Sequence, residues 1–243
     1  MFSLLKNIRK KSKISFAVIW IVAYCVFMSL GDALSELVGV KSSFSALVAL
    51  ILSLLLLLFL NKNSLMKEYG LCKSRAGLGN MLYYVPFLLI LSANFWNGVT
   101  FNFSAFETVL FILSMLFVGF LEEVIFRGIL FDAMRKDGEG LAMAVSSVTF
   151  GIGHIINLLN GAELLPTLCQ LVYASAAGFM FVAVFIKSKS LIACIVTHGV
   201  FNAFSAFAVD AKTQEMHIIS CVVLTVISLA YGIYLLKAPR LKE

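Results

Sequence analysis

What this sequence lacks is charge and polar length. Only 13% of its residues are charged, about half of the ~25% usual in a soluble domain. No polar stretch is long enough to fold as a separate water-soluble unit. The five cysteines, Cys25, Cys72, Cys169, Cys194 and Cys221, lack paired spacing, which excludes a zinc ribbon or a disulfide framework. There is no internal repeat, no low-complexity linker and no charge block beyond a basic N-terminus. Also missing are an HExxH pattern, a serine in a Gly-x-Ser-Gly context with a later histidine, and an aspartate pair within the apolar runs. Zincin, serine and aspartyl templates therefore do not fit. The formal charge is +6, but the basic residues are dispersed through loops rather than gathered in a stripe, so no nucleic-acid partner is expected.

What is present is apolar. Hydrophobic residues make up 61% of the chain and the mean hydropathy is +0.99. Windows of ~20 residues mark about eight spans, at 14–31, 44–60, 81–99, 108–131, 141–159, 166–186, 191–209 and 217–236. The expected fold is all-α, a polytopic helix bundle in the lipid bilayer. With an even number of spans both termini share a side. Every basic residue except Lys41, Lys212 and Arg127 falls on that side, which makes the termini cytoplasmic. The first apolar run, from Ile14 to Leu30, is read as a span rather than a signal peptide, because it is long, contains Trp20 and Tyr24 and lacks a small-x-small cleavage site.

Against this background the stretch GFLEEVIFRGIL, residues 119–130, is anomalous. A charge at the bilayer centre costs ~2.5–3.5 kcal/mol on insertion scales, so compensation is required. Glu123 and Arg127 are four apart and share a helix face, acid before base as favoured. Glu122 projects about 100° away on a regular α-helix and needs a different partner. The candidates lie in TFGIGHIINLL, where Phe150 and His154 are four apart beside Gly151 and Gly153, and in IVTHGVFNAF, where His198 and Asn202 are four apart. His217 opens the last span and is read as incidental. Each of these alone is as well explained by an interhelical hydrogen bond or a scaffold ion pair. Together on three apolar helices they are costly as packing, and point to chemistry.

A carboxylate and a histidine in a confined cavity can take a proton from water, while a second histidine and an amide donate to the oxyanion of an attacked carbonyl. The residues therefore suggest hydrolysis. The set EEVIFR, FGIGH and HGVFN, in that order, resembles the CAAX protease and bacteriocin-processing family, also called the Abi family, which includes type II CAAX prenyl endopeptidases. The resemblance covers residues 108–209, with 1–107 as three N-terminal spans and 210–243 as the last span and tail. It implies an intramembrane endopeptidase acting on a peptide or membrane-protein substrate in the cell membrane. It further implies that Glu122 and His154 activate water, that His198 and Asn202 stabilise the oxyanion, and that Glu123 and Arg127 hold the site's geometry.

No cofactor is expected, with one alternative: Glu122, His154 and His198 holding a divalent metal such as zinc, with a water in the open position. Two rival readings use the same residues, a non-proteolytic immunity or regulatory protein that binds a peptide or sensor partner, and a proton-coupled transporter. One geometric expectation follows from depth. Measured along straight helices from the cytoplasmic ends, His198 lies about 10 Å in and His154 about 20 Å in. Their meeting requires a tilted or broken fifth span, weakest at Gly151 and Gly153, and a water-filled funnel toward the cytoplasm is expected with it.

Overall fold

The computed structural model describes residues 2–75 and 84–238. Among these residues the chain is helical, with one isolated antiparallel bridge, Val99 to Ala208. The elements are α1 (Phe2–Lys11), α2 (Lys13–Val38), α3 (Ser43–Lys62), α4 (Val85–Ser92), α5 (Ala105–Glu122), a π-helical segment (Glu123–Leu130) and α6 (Phe131–Met134). They continue as α7 (Glu139–Gly153), α8 (Ile156–Leu159), α9 (Leu164–Ser188), α10 (Ile192–Phe204) and α11 (Gln214–Lys237), with single 3-10 turns after α4, α6 and α10.

Local signals set the boundaries. The Ser12 hydroxyl accepts from the Ser15 amide to start α2, and Gly39, at φ 72°, ends it in the left-handed region, where a residue without Cβ pays no steric penalty. Ser104 and Glu107 form a reciprocal capping box at the start of α5. The basic N-terminus is itself the helix α1, whose Phe2, Leu5 and Ile8 lie on the main apolar cluster.

Six helices are long and apolar enough to cross a membrane, the longest running unbroken for 33 residues from Ala105 to Asp137. Within the expected spans 81–99 and 191–209 the described residues hold the shorter apolar helices Val85–Phe95 and Ile192–Phe207; residues 81–83 of the former lie outside the described residues. At 1.5 Å per residue the second reaches about 24 Å, short of a ~30 Å hydrocarbon core. It stops because Ala208 turns extended and pairs with Val99, while Asn102 Nδ2 donates to the Ala208 carbonyl at 2.9 Å.

The two ends of the bundle differ. At the basic end, Lys13 pairs with Asp132 at 2.6 Å, Arg9 reaches the Tyr69 hydroxyl at 2.7 Å and pairs with Glu68, and the Leu191 amide donates to the Gly70 carbonyl at 2.8 Å. The Tyr69 phenol is pushed up by burial, against the pull of the neighbouring Arg9. At the other end the Lys41 amide donates to Glu107 at 3.0 Å and Asn94 Nδ2 to the Phe201 carbonyl at 2.9 Å. Between these ends α5 packs on α3 and α10, and α9 on α7 and α11.

Candidate active site

Two glycines bring the polar residues together. A Cβ on Gly119 of α5 would lie 2.6 Å from the Gly199 Cα and amide nitrogen of α10. The two backbones touch there, as small residues allow in membrane bundles. Gly199 follows His198, and Gly119 is one turn before Glu122 and Glu123, so the crossing delivers the imidazole to the carboxylates.

The contact is tighter than helical spacing suggests. His198 Nε2 lies 3.3 Å from Glu122 Oε2, and His198 Nδ1 lies 2.8 Å from Glu123 Oε1. One ring therefore bridges both acids, which the 100° separation on an α-helix would place on different faces. The ring does so by sitting between the two directions, because the backbone is regular at Glu122 and Glu123 and the wider π-helical winding lies beyond them, where the Phe131 amide donates to the Phe126 carbonyl five residues back. Such wide turns recur at functional sites. Of the two contacts the one at Nδ1 is a hydrogen bond, and the one at Nε2 is an approach within ion-pairing distance.

Glu123 also pairs with Arg127 at 3.3 Å, and both side chains are fully buried. The guanidinium lies 3.9 Å from the centre of the Phe150 ring, a cation–π contact worth ~2 kcal/mol when desolvated. Gly178 of α9 leaves room for it, since a Cβ there would stand 2.9 Å from Arg127 Nη2. The expected scaffold role of this pair fits that burial. Phe150 meets the rings of His154 and His198 edge-on, at 5.0 and 5.5 Å.

The fifth span is broken as depth requires. α7 ends at Gly153, His154 sits in the turn and α8 resumes at Ile156. His154 Nδ1 lies 3.1 Å from the Phe150 carbonyl. A carbonyl only accepts, so Nδ1 carries the proton and Nε2 of the neutral ring is left as a base. Past the break, Asn157 Nδ2 donates to Gln170 Oε1 of α9 at 2.9 Å.

Two cavities meet at Phe150 and His154. The larger, about 170 Å³, is lined by Glu122, His154, Tyr24, Cys25 and Asp32 among others, and has room for several waters. The smaller, about 50 Å³, is lined by His154, His198, Asn202 and Thr197 among others. Glu122, His154, His198 and Asn202 are thus gathered, with Asn202 across the Phe150 wall from Glu122. His198, implied by resemblance to face the oxyanion, has both nitrogens against carboxylates.

Tyr24 was read from the sequence only as an aromatic residue of the first span. Its hydroxyl donates to Glu122 Oε1 at 2.7 Å, so the N-terminal spans do contribute to the site. Its signal was present but weak: a phenol midway along a span needs a hydrogen-bond partner when buried.

Among the described residues, the cavity beside Glu122 shares no lining residue with the cavity at the basic end, where a funnel was expected. All eight residues from Glu123 to Leu130 are buried and fill that side. A further cavity of about 800 Å³ shares Ser29, Asp32, Met115 and Asn160 with it and reaches Gly39, Lys41 and Glu107 at the opposite end.

Among the described residues no three metal-ligating side chains are gathered to hold an ion. With His154 Nδ1 on a carbonyl and His198 Nδ1 on Glu123, the two Nε2 atoms are the ring nitrogens left to face an ion.

Fold and site together define a multi-pass membrane protein with a buried acid–histidine centre. Residues 104–204 match the family model described as type II CAAX prenyl endopeptidase Rce1-like. The resemblance carried by the three motifs is thereby borne out, and over this segment the chain is similar to the CAAX proteases. No curated protein and no solved structure matches the chain.

Proposed function

We propose that the protein is an intramembrane endopeptidase of the cell membrane, with both termini cytoplasmic, that hydrolyses a peptide bond in a peptide or membrane-associated protein. The observation that carries this reading is the convergence of Glu122 and His154 on one cavity large enough for water, with His198 bridging Glu122 to the Glu123 and Arg127 pair. Water held between Glu122 and His154 gives up a proton as it attacks the scissile carbonyl, and the same groups return a proton to the leaving amine. His198 links Glu122 to Glu123, which Arg127 holds in place. Asn202 stands on the far side of His154 as an amide donor for the oxyanion. For His198 to donate there as well, its Nε2 must leave Glu122 when substrate binds. Glu122→Gln in the purified, reconstituted protein is expected to lower the cleavage rate of a susceptible peptide by ~10²–10⁴, the usual contribution of a general base. Full residual cleavage would remove Glu122 from that role.

A further inference from the structure

Asp32 has no part in the mechanism above, yet it stands within the apolar helix α2. Acids inside membrane helices face the bundle interior or a water-filled cavity, because contact with lipid is costly. Along α2, Tyr24, Met28 and Asp32 recur every fourth residue and Cys25 and Ser29 lie beside them, so they form one stripe, and all five line the cavity that holds Glu122. Opposite them stand Asn157 and Asn160, just past the break at His154. The polar lining continues into the larger cavity through Ser29, Asp32 and Asn160 and ends at Glu36, Lys41 and Glu107. On the other side, the cavity among Arg9, Lys13, Asp132 and Lys136 shares no lining residue with the Glu122 cavity, and the buried π-helical segment stands between them.

We propose that water and the extended substrate chain reach Glu122 from the face opposite the basic loops, through the vestibule lined by Ser29, Asp32 and Asn160. This rests on the hydrolase reading, and with the basic loops in the cytoplasm it selects a class of substrate: a polypeptide segment emerging on the extracytoplasmic face, not one presented from the cytoplasm. Ser29 lies where the two cavities join and takes no part in the chemistry, so it can report on the route. Ser29→Cys is placed in a background whose five native cysteines are replaced by alanine, with Lys41→Cys and Lys136→Cys as markers of the two faces. Sealed vesicles of either orientation are treated with a charged, membrane-impermeant methanethiosulfonate, and labelling is read by intact mass.

Labelling of the Ser29→Cys protein from the Lys41 side, together with loss of peptide cleavage once labelled, is the expected result. Labelling from the Lys136 side, or from neither side while both markers react, overturns the proposal. If the cysteine-free background does not fold, native Cys25 in the otherwise unchanged chain gives the same readout by peptide mapping. Labelling is also measured in the Glu122→Gln protein. Full cleavage by that protein would end the hydrolase reading and leave the route standing, whereas lost cleavage with labelling from the wrong side would end the route alone.

Discussion

Glu122 Oε1 accepts from the Tyr24 hydroxyl, and Oε2 lies 3.3 Å from His198 Nε2. Tyr24 is therefore a positioning residue: it turns the carboxylate so that Oε2 faces the ring. Tyr24→Phe keeps the packing and deletes a hydrogen bond to a charged group, an interaction worth ~1.5–3 kcal/mol. The expected outcome is a fall in kcat of roughly ten- to a hundredfold with KM little changed, measured by steady-state peptide cleavage; an equal rise in KM alone would mark a role in substrate binding. Arg127→Met leaves Glu123 buried without its cation, and breaking a buried pair costs ~3–5 kcal/mol. It should lower the thermal unfolding midpoint in detergent even where Glu122 and His154 are untouched. The Glu123 and Arg127 pairing was legible in the sequence because four-residue spacing needs only a helix. The Tyr24 contact was not: it joins positions 98 apart, and a tyrosine in a span reads equally well as an interfacial or lipid-facing residue. The double role of His198 was hidden for another reason, since adjacent helix positions point about 100° apart and only the close crossing of α5 and α10 sets one ring between them.

At the scale of the element, glycines decide where helices may touch. The sequence singled out Gly151 and Gly153 together, and the structure separates them. A Cβ on Gly151 would strike the Ser175 side chain and come within 2.6 Å of the Leu171 carbonyl of α9, whereas one on Gly153 meets nothing within 4 Å. Gly151→Ala should destabilise by ~1–3 kcal/mol, the usual cost of overpacking. Gly153→Ala should be neutral or stabilising, as alanine is favoured over glycine in a helix by ~1 kcal/mol. Paired thermal melts of the two variants test the contrast. Gly119→Ala belongs with Gly151, because it would wedge α5 from α10 and pull His198 away from both acids, so cleavage should fall along with stability. The break in the fifth span was legible because two histidines at unequal depth must still meet. The close approach of Gly119 to Gly199 was not, since contacts between helices leave no trace in the spacing along either one.

For the whole molecule, hydropathy located every apolar segment and the charge asymmetry distinguished one end from the other. It did not tell a full span from a helix that stops partway, because composition is alike in Ile192–Phe207 and in the six long helices. Nor did it show which end the cavity faces, since that depends on which side the buried π-helical segment fills. That segment also lies between the two halves of the long rod from Ala105 to Asp137. Its wider winding holds about one residue more than regular winding needs. With Ile125 removed, the rod can return to regular winding while Glu122 and Asp132 keep roughly their places on its two halves, and the loss falls on the segment itself, where Arg127 would stand three rather than four residues from Glu123. A chain shortened by that single residue should still insert, span and keep Asp132 against Lys13, so the surplus residue is slack in the rod, taken up beside the proton-handling centre.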